Sequence, residues 1–312
     1  MSPLSILLNI HLMKTSSQSS PPGNRQRKLR VAAVQMKFCR TIDENMVAIE
    51  RLVRTAARRK ADAVLFPECA ITGYAFDFSS LKKLELNQAL MKVASLAEKY
   101  RLNILMGTPV FGGRQLFNCL VVFDRSGTLT HCYAKCHLTP DDQKIFTPGN
   151  AVSLFEIDGI PVTTVICHER RYPELVRLAV MAGARILFHP NAGLDALSVS
   201  RKKRDGKDGV VARAFENAIY YVFANSVGPQ GGGKWSAGDS KMVAPDGRVL
   251  AIADNEHESV ILANLDMEKS TGVYAERGME HPSFLKSHWK KMIQELKRQA
   301  ARSLERFDLP VH

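Results

Sequence analysis

Residues 160–174 read IPVTTVICHERRYPE, and this stretch decides the fold class. Its first half is apolar and β-branched, which predicts a buried strand over Val162 to Ile166. Pro173 favours the first turn of a helix, because its fixed φ suits that position and its missing N–H is not needed there. A strand that turns sharply into a helix, with Cys167 at the turn, is typical of an α/β fold.

Apolar strands and amphipathic helices continue on both sides of this stretch. The predicted strands cover residues 29–36, 63–66, 103–107, 116–123, a segment ending near 135, 153–157, 162–166, 186–188, 220–224, 241–244, 248–252 and 259–264. Helical spacing covers residues 46–57, 84–100, the segment after 173, and 209–217. Strands interleaved with helices, together with several hairpins, predict two mixed sheets with helices packed outside them.

One domain accounts for most of the chain. A sequence of 312 residues with 45% hydrophobic residues can bury a substantial core, and we place the domain at residues 29–282. Residues 1–28 contain a short apolar run followed by Ser, Pro and Gly, which predicts a flexible N-terminal extension. Residues 283–312 have a helical pattern with no strand after it, so we expect a helical tail on the surface or on a partner subunit.

Charge and hydropathy argue against two classes of partner. The net charge is +12 and the sequence pI is about 9.5, but the basic residues are spread over separate segments. No aromatic-rich binding module accompanies them, so we expect no nucleic-acid partner. No run approaches the length of 18 or more apolar residues that a membrane helix needs, so we expect no membrane partner.

The cysteines favour a reducing compartment. Six of them occur without a C-x-x-C pair or a disulfide-like spacing, which predicts a cytoplasmic protein. His131, Cys132, Cys136 and His137 are close enough in sequence to raise a zinc site. Two of the four would have to reverse direction on a strand to converge, so we expect no metal.

Three residues with reactive side chains stand where a predicted strand ends. Glu68 follows an apolar strand that stops at a proline, Lys135 ends the segment YAK, and Cys167 follows VTTVI. Sheets of α/β proteins present ligand-binding groups at such positions. Each residue also has a structural interpretation: a buried thiol, a capping acid and a solvated strand end. Spacing alone therefore does not decide between a site and three structural residues.

Four motifs occur in a recognisable order: FPE at 66–68 with TGY at 72–74, KCHL at 135–138, FTPG at 146–149 and CHERRYPE at 167–174. In order and spacing they resemble the nitrilase (carbon–nitrogen hydrolase) superfamily, in particular its amidase and N-carbamoyl-amino-acid hydrolase branch. Further matches extend the resemblance over residues 29–266. It implies an α/β fold of the nitrilase-like kind, a four-layer α-β-β-α sandwich, that forms homodimers or larger homo-oligomers and uses no cofactor.

The resemblance also implies a Glu-Lys-Cys site with Cys167 as the nucleophile. A free thiol is mostly protonated at neutral pH and needs a base, which would be Glu68. Cys167 at the start of the Pro173 helix would also gain from the positive end of the helix dipole. Lys135 and a backbone N–H near Cys167 or His168 would stabilise the oxyanion. Glu68 would then protonate the leaving amine and activate water to hydrolyse the thioester.

Asp142 departs from the usual pattern. Many members carry a second glutamate four residues before the phenylalanine of the F-x-P-G motif, and this chain has Asp142 there. We expect Asp142 to join the catalytic group, because Lys135 must stay charged and two flanking acids would help it do so. The side chain is one methylene shorter than glutamate, so an ordinary loop acid remains the alternative.

The residues around the nucleophile favour an amide or N-carbamoyl substrate. Nitrile-cleaving members commonly carry tryptophan after the cysteine, where this chain has His168. The Arg170–Arg171 pair resembles that of N-carbamoyl-amino-acid hydrolases, so we expect Arg171 to hold a substrate carboxylate. An internal ion pair of Arg171 is the alternative. We expect Tyr74 and Asn191 to line the same pocket.

The sequence therefore predicts a hydrolase that cleaves the non-peptide C–N bond of a small amide or N-carbamoyl compound through a cysteine thioester. Three other functions stay open beside it. A nitrilase would convert a nitrile to an acid and ammonia, and a non-catalytic scaffold would keep the fold without the chemistry. Residues 228–234, GPQGGGK, nearly spell a phosphate-binding loop, but Trp235 stands where Ser or Thr would hold magnesium.

Overall fold

The computed structural model describes residues 28–74, 77–200, 209–231 and 233–310. Apart from Lys28, the predicted N-terminal extension lies outside the described residues. The strands are β1 (Lys28–Gln35), β2 (Ala63–Leu65), β3 (Asn103–Gly112), β4 (Gln115–Phe123), β5 (Leu129–Ala134), β6 (Phe155–Ile157), β7 (Ile160–Thr164), β8 (Ile186–Asn191), β9 (Asp195–Ala196), β10 (Tyr220–Asn225), β11 (Val227–Gly231), β12 (Lys234–Ala237), β13 (Lys241–Val243), β14 (Val249–Ile252) and β15 (Ser259–Asp266). The α-helices are α1 (Ile42–Arg58), α2 (Lys83–Tyr100), α3 (Pro173–Met181), α4 (Leu197–Ser200), α5 (Val210–Phe215), α6 (Val273–Gly278) and α7 (Lys286–Ala300).

Two six-stranded mixed sheets form the centre of the molecule. The first has the order β15-β1-β2-β3-β4-β5, and the second has the order β14-β13-β10-β8-β7-β6. Their facing side chains share one buried cluster, with Leu65 and Leu105 from the first sheet and Ile186 and Phe188 from the second. This cluster is the core between the sheets.

Helices cover the outer face of each sheet. Apolar side chains of α1 and α2 pack on the first sheet, and those of α3 and α5 pack on the second. The start of α1 illustrates the local cause: Thr41 caps it and Glu44 bonds back, so orphan N–H groups are satisfied at both positions. Helix, sheet, sheet and helix make four layers, so the predicted α-β-β-α sandwich is confirmed.

The direction of the strands brings the three candidate catalytic residues to one end. In the first sheet β2 runs parallel to β3, and β5 returns to the same direction after two antiparallel steps. In the second sheet β7 runs parallel to β8. Glu68, Lys135 and Cys167 each follow the carboxyl end of one of these strands. The Ala192 N–H, just past β8, donates to Glu68 Oε2 at 3.0 Å, so both sheets present their carboxyl ends to the same region.

Some elements differ from the prediction. Strands β11, β12 and β9 form a small third sheet that the sequence pattern did not indicate. Val227 to Ala237 pair as an antiparallel hairpin, and β12 begins at Lys234, so the phosphate-binding interpretation of residues 228–234 is wrong. Such a site needs a helix that starts at this position.

The tail lies on its own chain. Trp289 and Ile293 of α7 pack on the cluster that α3 buries, and Phe307 meets the ring of Phe117 edge-on with centroids 5.5 Å apart. In the described part of the chain, no helix is long and apolar enough to cross a membrane.

Candidate active site

Cys167 lies where the chain leaves β7 and turns. Its φ of 51° is left-handed, which costs a non-glycine residue on the order of 1 kcal/mol. A 3-10 turn, Cys167–Arg171, follows, and α3 begins only at Pro173. Cys167 therefore lies outside the first turn of α3, to which a helix dipole's effect is confined, and that part of the expectation is not met.

Two buried rings hold the backbone of this turn. His189 of β8 donates from Nε2 to the Cys167 carbonyl oxygen over 3.0 Å. Because a carbonyl only accepts, Nε2 carries the proton, and Nδ1 accepts from the Tyr221 hydroxyl at 2.7 Å. Burial, and then the charge of Arg170, lower the pKa of His189 well below its usual value, so the ring stays neutral.

Lys135 lies between two carboxylates. Its Nζ donates to Glu68 Oε1 and to Asp142 Oδ2, each at 2.8 Å, and the three side chains are almost completely buried. Burial alone would lower the pKa of Lys135, but the Glu68 carboxylate raises it through its charge and its hydrogen bond. The net effect is a pKa above the usual value. The ammonium therefore stays charged, as an oxyanion-stabilising group must.

Two further donors orient Glu68. Asn118 of β4 donates from Nδ2 to Glu68 Oε1 at 2.7 Å, and the Ala192 N–H binds Oε2. Gly107 of β3 makes room for this turn, since a Cβ there would lie 2.1 Å from the Pro67 carbonyl oxygen. The Glu68 carboxylate is thus held by a side chain of β4 and by a backbone N–H just past β8.

Asp142 reaches Lys135 in spite of its shorter side chain. The Thr139 N–H donates to Asp142 Oδ2 at 3.0 Å, and the Asp142 N–H donates back to Thr139 Oγ1 at 3.1 Å. The Tyr74 hydroxyl donates to Asp142 Oδ1. The geometry therefore favours Asp142 as a partner of Lys135 over an ordinary loop acid. The Tyr74 hydroxyl is already bonded to Asp142.

The Cys167 thiol is protonated at rest. Burial, and then the charge of Glu68, raise its pKa to about 12, although the Lys135 charge opposes the rise. Glu68 is thus near enough to influence the thiol, and its two oxygens accept from three N–H donors. This is the arrangement that a base-assisted nucleophile requires.

A cavity of about 310 Å³ opens above these groups. Cys167 and His168 line it, and so do Arg171, Asn191 and Tyr74, the three residues expected to bind substrate. The Asn191 amide donates to Asn225 Oδ1 at 2.8 Å, so that N–H is already used. Arg171 is exposed and has no ion-pair or hydrogen-bond partner in the part of the chain that the structure describes. The alternative of an internal ion pair is therefore disfavoured.

No group of three or more His, Cys, Asp and Glu side chains is placed to hold a metal ion among residues 28–74, 77–200, 209–231 and 233–310. His131 instead approaches Ser153 Oγ at 3.0 Å and stacks on Phe155.

The model of the carbon–nitrogen hydrolase family matches residues 30–274, most of the chain. This protein belongs to the carbon–nitrogen hydrolase family. It is therefore an enzyme that hydrolyses carbon–nitrogen bonds, as the motif order predicted.

Individual relatives of this hydrolase agree with that assignment. It is 30% identical over 253 residues to a probable nitrilase of Schizosaccharomyces pombe. The match covers 77% of this chain and 90% of the relative. It is 28% identical over 236 residues to the 2-oxoglutaramate amidase of Bacillus subtilis, covering 74% and 87%. A solved structure, a mutant of the Nesterenkonia AN1 amidase of the nitrilase superfamily, superposes with a TM-score of 0.71 at 23% identity over 86% of this chain and 98% of that one. That likeness supports the fold.

Sequence reasoning missed two residues of the hydrolase that hold candidate catalytic groups. Asn118 is a fully buried amide within the apolar run 116–123, and a lone polar residue in such a run was a usable signal. His189 is also fully buried, but its role depends on the fold bringing β8 behind the Cys167 turn. No local sequence pattern predicts the contact between His189 and the Cys167 carbonyl oxygen.

Proposed function

We propose that this hydrolase cleaves small amides or N-carbamoyl compounds that carry a carboxylate, with Cys167 as nucleophile and Glu68, Lys135 and Asp142 as its catalytic partners. The observation that carries the proposal is the buried Lys135 ammonium, held between Glu68 and Asp142 beside the Cys167 cavity.

Acylation begins with the Cys167 thiol, whose proton passes to Glu68 as sulfur attacks the carbonyl carbon. Glu68 Oε2 is the better acceptor, because it binds one N–H donor whereas Oε1 binds two. A carbon–sulfur bond forms and the carbonyl electrons move onto oxygen. The third N–H of Lys135 is left for that oxygen, since its other two bind carboxylates. The His168 N–H, at the start of the 3-10 turn, is the second donor.

Collapse of this intermediate breaks the C–N bond. Glu68 gives its proton to the leaving nitrogen, ammonia or an amine departs, and a thioester remains on Cys167. Glu68 then takes a proton from water, which attacks the thioester. The new C–O bond forms, the C–S bond breaks, and the sulfur regains its proton from Glu68, which returns to the carboxylate. Asp142 holds the Lys135 ammonium in place by its hydrogen bond through both halves of the reaction.

Arg171 supports a substrate with a carboxylate. Its guanidinium stands exposed at the cavity and can bind a carboxylate with two parallel hydrogen bonds. The Bacillus subtilis relative acts on 2-oxoglutaramate, an amide that carries such a group. Nitrile hydrolysis is the second candidate, because the Schizosaccharomyces pombe relative is a probable nitrilase, but His168 replaces the tryptophan of nitrile-cleaving members.

Three further features belong to this proposal. Large apolar side chains are exposed on the outer layer of the second sheet (Phe215, Tyr274, Phe284), which supports a homodimer or larger homo-oligomer. All six cysteines are free, which supports a cytoplasmic location. We place the domain at residues 29–282, with a helical tail after it.

Ammonia release from a panel of nitriles, primary amides and N-carbamoyl compounds tests the function. We expect turnover of amides or N-carbamoyl compounds and none of nitriles. Cys167→Ala removes all turnover, whereas Cys39→Ala, at an exposed cysteine, leaves it unchanged. Full activity of Cys167→Ala would overturn the mechanism, and turnover of nitriles alone would favour a nitrilase.

Arg171→Ala tests the substrate class. We expect a KM about 10- to 100-fold higher for a carboxylate-bearing amide, because a charge-assisted pair is lost. The matched neutral amide keeps its KM. Equal effects on both substrates would remove the carboxylate assignment and leave the amidase function intact.

A further inference from the structure

Glu169, two residues after the nucleophile, is a fully buried carboxylate that the proposed reaction does not use. Its Oε1 accepts from the N–H groups of Cys136 and His137 at 2.7 and 3.2 Å and from the Tyr133 hydroxyl at 2.9 Å. Its Oε2 accepts from the Ile166 N–H at 2.8 Å. A carboxylate taken out of water is costly unless such donors replace the water, so these contacts fix its place.

The donors come from both sheets. Cys136 and His137 directly follow Lys135, at the end of β5 in the first sheet. Ile166 directly precedes Cys167, after β7 in the second sheet. The Glu169 carboxylate therefore joins the turn that presents the ammonium to the turn that presents the thiol.

We propose that Glu169 is a positioning residue that sets the distance between Lys135 Nζ and Cys167 Sγ. This inference rests on the proposed function. The oxyanion forms on the carbon that Cys167 attacks, so Lys135 stabilises it only from a fixed place relative to the sulfur. A misplacement of about 1 Å can cost about 100-fold in rate. Because Glu169 is buried, it acts through the two turns and not on the substrate.

The main variant is Glu169→Gln. All four partners are donors, so the glutamine NH₂ must face one of them and release one of the two turns. We expect kcat to fall about 100-fold with KM within about threefold, because transition-state placement is lost and ground-state binding is not.

Two further variants control for effects on folding. Tyr133→Phe removes one donor and leaves each Glu169 oxygen with another, so we expect full folding and a kcat loss of about threefold. Asp158→Asn changes a carboxylate to an amide at the opposite end of the sheets, where it binds Arg125. It lowers the unfolding temperature and leaves kcat unchanged.

A second readout separates positioning from general structural damage. Methyl methanethiosulfonate modifies Cys167 by attack on sulfur, a reaction that develops no carbonyl oxyanion, so Lys135 affects it only through the ionisation of the thiol. In a Cys39→Ala background, with the Cys167 peptide followed by mass, we expect Glu169→Gln to slow this modification less than about fivefold, far below its effect on kcat.

The outcomes separate as follows. A kcat loss much larger than the loss in modification rate supports the positioning role. A kcat within threefold of wild type, or parallel losses in both rates, overturns it. A wild-type enzyme that releases no ammonia from any amide or N-carbamoyl compound overturns the proposed function, and the positioning role with it.

Discussion

The two ends of the sheets each carry one cation and two carboxylates, but the two groups are built differently. At the carboxyl end, Lys135 is buried between Glu68 and Asp142. At the amino end, Arg125 binds Asp62 and Asp158, and all three side chains are partly exposed, at 33, 26 and 18%.

The two cations differ in burial and in the groups that stand beside them. The Arg125 guanidinium donates to Asp62, to Asp158 and to the Arg101 carbonyl oxygen, and these hydrogen bonds connect separate loops. Lys135 is completely buried and lines the same cavity as Cys167. In the proposed mechanism the buried cation beside the nucleophile serves catalysis, whereas the partly exposed cation at the other end serves stability. We expect substitutions at the two ends to separate these effects.

Glu68→Gln is expected to have the largest effect, a fall in kcat/KM of about 1000-fold, because an amide cannot take the thiol proton. The glutamine oxygen still accepts from Lys135, so the unfolding free energy changes by at most about 2 kcal/mol. Steady-state ammonia release and denaturant unfolding measure the two quantities. Glu98→Gln, on the surface of α2, serves as the control. A loss below tenfold would contradict the role of Glu68 as base.

Arg125→Met is expected to lower the unfolding free energy by about 2 kcal/mol, since it leaves two partly buried carboxylates without their cation. kcat stays within twofold of wild type. Arg248→Met, which breaks an exposed pair with Asp246, is the control and changes stability little. An Arg125→Met enzyme with unchanged stability and much reduced kcat would erase the distinction between the two ends.

The dependence of stability on pH tests His131, a buried residue outside both clusters. Burial lowers the pKa of His131 to about 3, whereas the unfolded chain keeps the ordinary value near 6.5. Below pH 6.5 the unfolded chain therefore binds a proton that the native protein does not, and stability falls with pH. At pH 5 the loss from His131 is about 2 kcal/mol relative to pH 7. Between pH 7 and pH 5 the unfolding free energy of His131→Gln, measured with denaturant, should fall by about 2 kcal/mol less than that of the wild type. Equal losses in the two proteins would refute the low pKa of His131.

Asp142→Asn is expected to have the smallest effect, a fall in kcat of about tenfold, because Lys135 keeps Glu68 but loses one neighbouring charge. Asp142→Glu restores the charge and is expected to recover most of the rate. Stopped assays of ammonia release compare the two variants. If asparagine matches wild type, Asp142 is only a loop acid.

The sequence predicted the catalytic end of the fold better than its surroundings. Glu68, Lys135 and Cys167 carry recognisable motifs, and their strands are long or apolar enough to be predicted. Strands β9, β11 and β12 were missed because they are short and rich in glycine, and their pairing depends on distant segments. The contacts of Glu169 were missed for a related reason: its partners lie on a different sheet, so only the packed structure unites them.

The central claim is a thioester on Cys167, and an acid quench tests it most directly. The wild-type enzyme is mixed with a saturating amide that it hydrolyses, quenched in acid during steady-state turnover and digested, and the mass of the Cys167 peptide is measured. The account predicts the acyl mass on this peptide, with none on the Cys39 peptide and none in Cys167→Ala. An unmodified Cys167 peptide in the wild-type enzyme, together with turnover by Cys167→Ala, would contradict it.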